Sequence, residues 1–307
     1  MQNKKHYLIT GGSGFIGSQL CKILLKNNQK VTVLSRNPQK TATKFVNQLG
    51  DLTENLAFIA SFEDFNQPVD IIINLAGQGI MDKRWSEIIK QQLLDSRLNT
   101  TQALVDYVKR CKDKPELVIS GSAIGYYGMQ HGDTRLDETA QGDTSFASQL
   151  CVEWEYKAKP LEALGIRTCY LRTGIVLGQG GALAKMIPPF KFGLGGRIGN
   201  GQQWMSWIHI TDLLNMMLFI SDNKTLTGAI NGTAPNPVRN VEFTKLLGKA
   251  LKRPAFIPMP AMVIKLMLGE GAEELLLAGQ CVLPKKMLEA GFVFQFPELE
   301  EAMRDCK

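Results

Sequence analysis

The chain has 307 residues, of which 44% are hydrophobic and 21% are charged, and its formal net charge is +6. This composition is typical of a globular protein and excludes disordered, fibrous and membrane-embedded chains. Because the lysines and arginines are scattered along the sequence, we expect a basic groove for a phosphorylated small molecule and no nucleic-acid partner.

The six cysteines, at positions 21, 111, 151, 169, 281 and 306, form no CxxC pair and no cluster with the three histidines. We therefore expect no disulfide, no metal site and a reducing compartment, the cytoplasm. The first ten residues lead into a strand pattern without a signal-type apolar core, and no apolar run approaches the ~18 residues of a membrane helix. We accordingly expect no membrane partner.

Short apolar runs alternate with amphipathic stretches over residues 6–75. The spacing predicts strands at HYLIT, KVTVLS, LAFIA and VDIIINLAG, with helices at FIGSQLCKILLKNN and QKTATKFVNQL. A long amphipathic helix is predicted at 86–111, followed by a fifth strand at ELVISGSA and a sixth at IRTCYLRTGIVLG. Buried strands separated by helices in this way predict an α/β fold with a doubly wound parallel sheet.

The composition of the chain changes at about Gly178, where a stretch rich in glycine and proline is predicted to leave the sheet. SWIHITDLLNMMLFI and LTGAINGTA predict a return to it. We assign residues 1–178 and 207–235 to a dinucleotide-binding Rossmann domain, and residues 179–206 and 236–307 to a smaller, mainly helical cap on the substrate side. The apolar run at 256–268 is too short to span a membrane, so we expect it to form the core of the cap.

The strongest functional signal is LITGGSGFIGSQL. Its glycines satisfy both GxGxxG, beginning at Gly12, and GxxGxxG, beginning at Gly11, and the motif follows a strand and opens a helix. Such glycines let the backbone approach a pyrophosphate, whose charge the helix N-terminus stabilises. The alternative is a loop that binds nothing. The motif predicts a dinucleotide site at Gly11, Ser13, Gly14, Phe15, Ile16 and Gly17.

The second strand ends in Ser35 and Arg36, where an NAD-binding fold carries an acidic residue for the ribose hydroxyl. The guanidinium of Arg36 suits a 2′-phosphate, which favours NADP(H) over NAD(H) and disfavours S-adenosylmethionine. The alternative is a solvated arginine. The fourth strand ends in Leu75, Ala76 and Gly77, which either let a ribose lie against the backbone or form a tight turn.

Taken together, TGGSGFIG, INLAG, SGSAIGYYG, YLRTGIVLG and WIHITDL resemble an extended short-chain dehydrogenase/reductase (SDR). KRWSEIIKQQLLDSR and the C-terminal blocks NPVRNVEF and LPKKMLEAGFVF are similar to its atypical, sugar-nucleotide-epimerase-like branch, whose cap has no characterised role. The resemblance covers nearly the whole chain. It implies an NADP(H)-binding Rossmann domain with further cofactor contacts from Gln92 and Arg97.

The resemblance also implies where catalytic residues stand. Extended SDR proteins use a serine or threonine, a Tyr-x-x-x-Lys pair and an asparagine, and the tyrosine exchanges a proton while the nicotinamide exchanges hydride. Ser122 matches the serine, but Ala147 and Cys151 stand where tyrosine and lysine belong, and Arg97 replaces the asparagine. A register shifted by four places Cys151 and Glu155 there instead.

The proton donor is therefore open. The catalytic candidates are Ser122, Tyr127 and Cys151, with Tyr126 as a further substitute donor; Cys151 equally fits a buried structural cysteine. Arg197, in GLGGRIGNG, is a candidate for binding a substrate phosphate, although a flexible loop has the same sequence features.

His209 and Asp212 suggest a triad with Ser122, but capping of the next helix by Thr211 or Asp212 explains the cluster more simply. Two functions follow from the sequence. One is an NADP-dependent oxidoreductase or epimerase that acts on a sugar nucleotide or a similar small carbonyl or hydroxyl compound. A homodimer is a possible assembly for it. The other is a non-catalytic NADP(H)-binding sensor or scaffold.

Overall fold

Strands and helices alternate along the chain in the computed structural model, which describes residues 4–63 and 65–306. The strands are β1 His6–Thr10, β2 Lys30–Leu34, β3 Leu56–Ile59, β4 Ile71–Asn74, β5 Leu117–Ala123, β6 Arg135–Leu136, β7 Arg167–Thr173, β8 Ile175–Leu177, β9 Trp204–Met205, β10 Trp207–His209, β11 Gly228–Gly232, β12 Val238–Arg239 and β13 Cys281–Val282. The α-helices are α1 Phe15–Lys26, α2 Pro38–Leu49, α3 Glu87–Arg110, α4 Phe146–Ala158, α5 Pro160–Ala163, α6 Gly181–Lys191, α7 Ile210–Asp222, α8 Asn240–Leu251, α9 Ala261–Leu268, α10 Glu270–Ala272, α11 Lys285–Glu289 and α12 Leu299–Asp305. Short 3₁₀ segments lie at Gly50–Asn55 and Ile124–Tyr127, and a π-helical turn at Glu273–Leu277.

Seven strands form one parallel sheet in the order β11-β7-β5-β4-β1-β2-β3. Strand β1 lies between β2 and β4, so that Ile9 is opposite both Val33 and Ile73. Because the strand order reverses here, a crevice opens at the carboxyl ends of β1 and β4. The predicted doubly wound α/β fold is confirmed.

Helices cover both faces of this sheet. On one face, Leu20 of α1 and Met217 of α7 pack against the strands, and on the other face Leu104 and Val108 of α3 do so. The side chains of 71–73, three consecutive isoleucines, have no exposed surface. Burying each such side chain contributes about 1.5–3 kcal/mol, which explains why these strands are continuous apolar runs.

The predicted sixth strand divides at Gly174. Strand β7 joins the main sheet, whereas β8 pairs with β10 in a separate two-stranded sheet. A Cβ at Gly174 would lie 2.6 Å from the carbonyl oxygen of Ser206, so the close approach of these segments requires glycine. The expectation that the WIH segment returns to the main sheet was wrong, while β11 does return to it.

A second core lies among the segments expected to form the cap. Phe190 of α6 and Phe243 of α8 pack in one cluster with Trp207. The C-terminal segment also reaches the main core, since Met287 and Phe292 belong to the cluster formed by α1, α7 and the sheet. The two cores are therefore joined by the last part of the chain.

The apolar segment at 256–268 does not form the core expected of it. Within α9 only Ile264 is buried, whereas Phe256, Met262 and Leu266 are largely exposed. The prediction was wrong because apolar composition does not fix which side of a short helix faces the protein. Over the described residues, no helix combines the length and apolarity needed to cross a membrane.

Candidate active site

The glycine-rich turn between β1 and α1 lies at the crevice. Gly11 adopts a φ of +69°, and a Cβ there would lie 2.7 Å from the Leu75 carbonyl carbon. A Cβ at Gly17 would lie 2.4 Å from the carbonyl oxygen of Gly11, and the Gly14 amide donates to that same oxygen at 3.0 Å. Only glycine fits at Gly11 and Gly17, and no side chain caps the start of α1. The first amides of α1 can therefore meet an anion.

Three residues predicted to contact the cofactor lie at the start of α1, where the segment after β8 packs against them. Ser13 is exposed and Ile16 is half-buried at the start of α1. Phe15 is half-buried, and a Cβ at Gly180 would lie 2.7 Å from its ring. The segment after β8 therefore closes over the start of α1, and its glycine makes room for the phenylalanine.

Basic residues lie beside the end of β2. Ser35 shares a hydrogen bond of 2.7 Å with Thr41. Arg36 is exposed, and within the described parts of the chain its side chain makes no ion pair or hydrogen bond. Lys44 of α2, which sequence reasoning missed, donates to the Ser13 carbonyl at 3.2 Å. Two cations thus lie beside the turn, and no carboxylate in the described part of the chain pairs with either of them.

The end of β4 and the middle of α3 form the next wall. Ala76 donates to Thr10 Oγ1 at 3.1 Å, and a Cβ at Gly77 would lie 3.1 Å from Arg97 Cζ. The Arg97 guanidinium donates to the carbonyls of Gln78 and Leu93, both at 2.9 Å. Burial lowers the pKa of Arg97, yet no described carboxylate pairs with it. Gln92 is exposed on the same helix.

Ser122 lies at the end of β5 and is buried. Its hydroxyl donates to Glu155 Oε1 at 2.7 Å. Arg172 of β7 holds the same carboxylate with two hydrogen bonds, from Nε at 2.8 Å and from Nη2 at 2.9 Å. Although burial opposes the charge of Arg172, its hydrogen bonds to Glu155 raise its pKa. The serine therefore contacts a carboxylate that is also paired with a guanidinium.

Tyr127 lies behind this group, fully buried. Its hydroxyl donates to Asn231 at 2.6 Å and accepts from Arg172 Nη1 at 3.1 Å. Burial raises the pKa of Tyr127 to about 12. This placement favours a structural role over the acid role considered from the sequence. The ring of Tyr126, by contrast, is half-buried and lies 3.3 Å from the Arg172 guanidinium carbon.

Helix α4 carries neither a tyrosine nor a lysine at the positions of the Tyr-x-x-x-Lys pair of extended SDR proteins. Ala147 and Cys151 are both buried, and burial raises the pKa of Cys151 to about 11. The N-terminus of α4 is bound by Glu274, whose carboxylate accepts from the amides of Phe146 at 3.1 Å and Ala147 at 2.8 Å. A carboxylate from the C-terminal segment thus lies next to the position that holds tyrosine in the family.

The side chains of His209 and Asp212 accept hydrogen bonds from backbone amides at the start of α7 and in the C-terminal segment. His209 Nδ1 accepts from the Thr211 amide at 3.3 Å, so the histidine itself caps α7. Asp212 accepts from the amides of Gln295 at 2.8 Å and Phe296 at 2.9 Å. The capping explanation holds, although the predicted capping residue was wrong, and neither side chain bonds to the serine hydroxyl.

Sequence reasoning had signals for some of what it missed. Arg172 is a lone charge inside the apolar strand YLRTGIVLG, and a charge in a buried strand requires a buried partner. Glu155 was considered only in place of lysine, although it follows Cys151 by one helical turn.

Arg197 is exposed on the cap, and its backbone carbonyl accepts from the Met259 amide at 2.8 Å.

A parallel sheet with a glycine turn at its crossover, a serine at the end of β5 and a cap define a dinucleotide-binding protein of the extended SDR class. The family model described as the NAD dependent epimerase/dehydratase family matches residues 7–231, and a domain of unknown function matches residues 259–306. The chain belongs to the NAD-dependent epimerase/dehydratase family, as its sequence motifs predicted.

Two of its relatives span the same length as this chain, and a third is longer. An epimerase family protein of Bacillus subtilis, YfhF, is 39% identical over 96% of this chain and 95% of its own. The human epimerase family protein SDR39U1, solved with NADPH, is 34% identical over 98% of both chains, with a TM-score of 0.87. A nucleoside-diphosphate sugar epimerase from Corynebacterium glutamicum is 28% identical over 99% of this chain and 58% of its own, with a TM-score of 0.75.

Proposed function

We propose that the protein binds NADP(H) and acts as an oxidoreductase or epimerase on a small carbonyl or hydroxyl substrate of the sugar-nucleotide kind. The observation that carries the proposal is the glycine turn at the start of α1, which Gly11 and Gly17 leave open to a pyrophosphate, beside the unpaired cation Arg36. The human relative solved with NADPH supports the choice of cofactor.

The residues present fit this cofactor. In the proposal, the amides after Gly14 bind the pyrophosphate and Arg36, with Ser35 beside it, binds the 2′-phosphate. The backbone of 75–77 lies along a ribose, and Arg97 meets a phosphate or the nicotinamide end, with Gln92 on the same helix. The bound cofactor would supply or accept the hydride.

We assign the transfer of the substrate's hydroxyl proton to Ser122 and Glu155. Because the Ser122 hydroxyl donates to Glu155, its oxygen lone pairs are available to accept a hydrogen bond from a substrate hydroxyl. As substrate is oxidised, its hydroxyl proton passes to Ser122 while the serine proton passes to Glu155, and reduction reverses both transfers. Arg172 holds the carboxylate in place. Cys151 and Tyr127 stay weaker candidates, because burial raises the pKa of each and so opposes the release of its proton.

A sugar nucleotide suits the cap side of the crevice. Arg197 is exposed there and makes no side-chain ion pair within the described residues. A diphosphate is a doubly charged group that a guanidinium binds with two hydrogen bonds. The name of the Corynebacterium glutamicum protein is that of an enzyme acting on such a compound.

Cofactor choice is tested by titrating NADPH and NADH into the wild type and Arg36→Ala. Losing a guanidinium–phosphate contact should weaken NADPH binding by about tenfold or more and leave NADH binding unchanged. Lys22→Ala, an exposed cation on α1 away from the turn, is the matched control. Equal loss for both nucleotides would contradict the assignment of Arg36.

Catalysis is tested with a panel of nucleotide sugars and small carbonyl compounds, followed by nicotinamide absorbance and product analysis. Product analysis is needed because an epimerase gives no net absorbance change. Ser122→Ala should abolish turnover with NADPH affinity retained. Turnover that survives in Ser122→Ala would refute the serine–glutamate assignment.

The second candidate is a non-catalytic NADP(H)-binding sensor or scaffold. Ala147 and Cys151 favour it, because neither can replace the family tyrosine and lysine. NADPH binding by the wild type with no product from any compound in the panel would support this function over the first.

A further inference from the structure

An exposed apolar face covers one side of the cap. It comprises residues from the loop after α6, from the segment after α8 and from α9: Phe192, Leu194, Phe256, Ile257, Met262, Val263, Leu266 and Met267. The exposed fraction reaches 81% for Phe192, 77% for Phe256 and 81% for Met262. Large exposed apolar patches of this kind mark interaction surfaces.

Backbone hydrogen bonds join these segments into one surface. The Ile257 amide donates to the Gly195 carbonyl at 3.2 Å, and the Met259 amide donates to the Arg197 carbonyl at 2.8 Å. Residues 198 and 259 form a parallel bridge. The loop that carries Phe192 therefore runs beside the segment that carries Phe256, and α9 begins directly after it.

The unpaired charges next to the apolar face in sequence are cations. Lys191, Arg197, Lys252 and Arg253 are exposed, and none of their side chains makes an ion pair in the part of the chain that the structure describes. In sequence, Lys191 is next to Phe192, and the other three lie three or four residues from Leu194 or Phe256.

The acidic residues beside α9 do not offset these cations. Glu270 pairs with Lys90 and Glu273 pairs with Lys265, each at 2.5 Å. Both carboxylates are thus neutralised by lysines of their own. Lys191, Lys252 and Arg253 are thus left without an ion pair in the described residues, while the two carboxylates next to α9 are already paired.

We propose that the apolar face docks on the surface of an anionic lipid bilayer. Phenylalanine, leucine and methionine side chains would enter the boundary between headgroups and acyl chains, while Lys191, Lys252 and Arg253 meet lipid phosphates. Helix α9 has eight residues and a length of about 12 Å, so it lies in the membrane plane and does not cross it.

The charge pattern favours a bilayer over a second copy of the chain. In a two-fold contact the same patch meets itself, so a face whose unpaired charges are cations would meet an identical cationic face. The two carboxylates beside α9 are already paired with lysines and do not offset this repulsion. An anionic membrane supplies the opposite charge.

The test is flotation of the protein with vesicles of phosphatidylcholine alone or with about a third phosphatidylglycerol, at low and high salt. We expect binding to the anionic vesicles, weakened by salt, and little binding to phosphatidylcholine. Phe192→Ser/Phe256→Ser should reduce binding by about tenfold or more, since each ring loses its apolar burial. Lys252→Gln/Arg253→Gln should reduce it only on anionic vesicles.

Matched controls separate the face from general surface effects. Ile88→Ser/Val293→Ser removes two exposed apolar side chains elsewhere, and Lys22→Gln/Lys26→Gln removes two exposed cations of α1; both should bind like the wild type. Unchanged thermal unfolding shows that each variant is folded. The proposal is overturned by no binding to anionic vesicles at low salt, or by equal loss in the control variants. A concentration-dependent dimer that Phe192→Ser/Phe256→Ser dissociates, without vesicle binding, would instead assign the face to a second copy.

Discussion

Breaking the ion pair between Arg172 and Glu155 should destabilise the protein strongly. Their side chains are 5% and 12% exposed, and two hydrogen bonds join them. Removing one partner leaves the other as a buried uncompensated charge, which costs about 3–5 kcal/mol. Arg172→Met and Glu155→Leu should each show this loss.

The magnitude is measurable as a shift in the unfolding midpoint. A loss of about 1 kcal/mol lowers the midpoint by about 2–4 °C in a domain of roughly this size, so each single variant should unfold about 6–20 °C lower. The double variant Arg172→Met/Glu155→Leu should recover part of the loss, because neither charge is left unpaired. It still deprives Ser122 and Tyr127 of one partner each, at about 1 kcal/mol apiece.

The assay is urea and thermal unfolding of the wild type, both single variants and the double variant, arranged as a double-mutant cycle. The exposed pair of Arg304 and Glu300 is the control, with side chains 62% and 38% exposed. Arg304→Met should cost less than about 1 kcal/mol. The reasoning is refuted if the buried variants cost no more than this control, or if the double variant loses the sum of the two single losses.

Three further predictions follow from the site. Gly17→Ala should weaken NADPH binding and cost about 1–3 kcal/mol, measured by nucleotide titration and unfolding, because its Cβ would lie 2.4 Å from the Gly11 carbonyl oxygen; unchanged affinity would contradict it. Since burial raises the pKa of Cys151 from 9.0 to about 11, its stabilising effect is complete below pH 9 and is lost as the pH rises through about 11; Cys151→Ala should flatten the stability profile in that window. Glu274→Ala should cost about 1–2 kcal/mol in urea unfolding by freeing the first amides of α4, whereas Glu274→Gln, which keeps an acceptor, should cost less; equal losses would argue against capping.

The alternating strands and helices up to β5 could be predicted because each strand is a short apolar run and each helix has its own period. The glycine turn could be predicted because its spacing is local and its constraint, close backbone approach, belongs to glycine alone. The prediction that Arg36 binds the 2′-phosphate rests on a local signal as well, since Arg36 stands two residues after β2.

The remaining features could not be predicted, because they depend on contacts between residues far apart in sequence. The division at Gly174 depends on the approach of Ser206, and the binding of α4 depends on Glu274, far away in sequence. The pairing of Glu155 with Arg172 joins a helix to a strand, so no local pattern contains it. The exposure of α9 depends on which surfaces the preceding loops leave open, and a run of apolar letters carries no such information.

The packing of Met287 and Phe292 into the main core has a consequence for synthesis on the ribosome. Domains made first usually fold first as the chain emerges. Here the helices and strands that surround these two side chains are complete long before residue 287 is translated, yet their apolar surface lacks its final covering until then. The nascent chain must carry that surface uncovered from the completion of β11 until residues 287–292 have emerged, so the main core is finished only when that segment is in place.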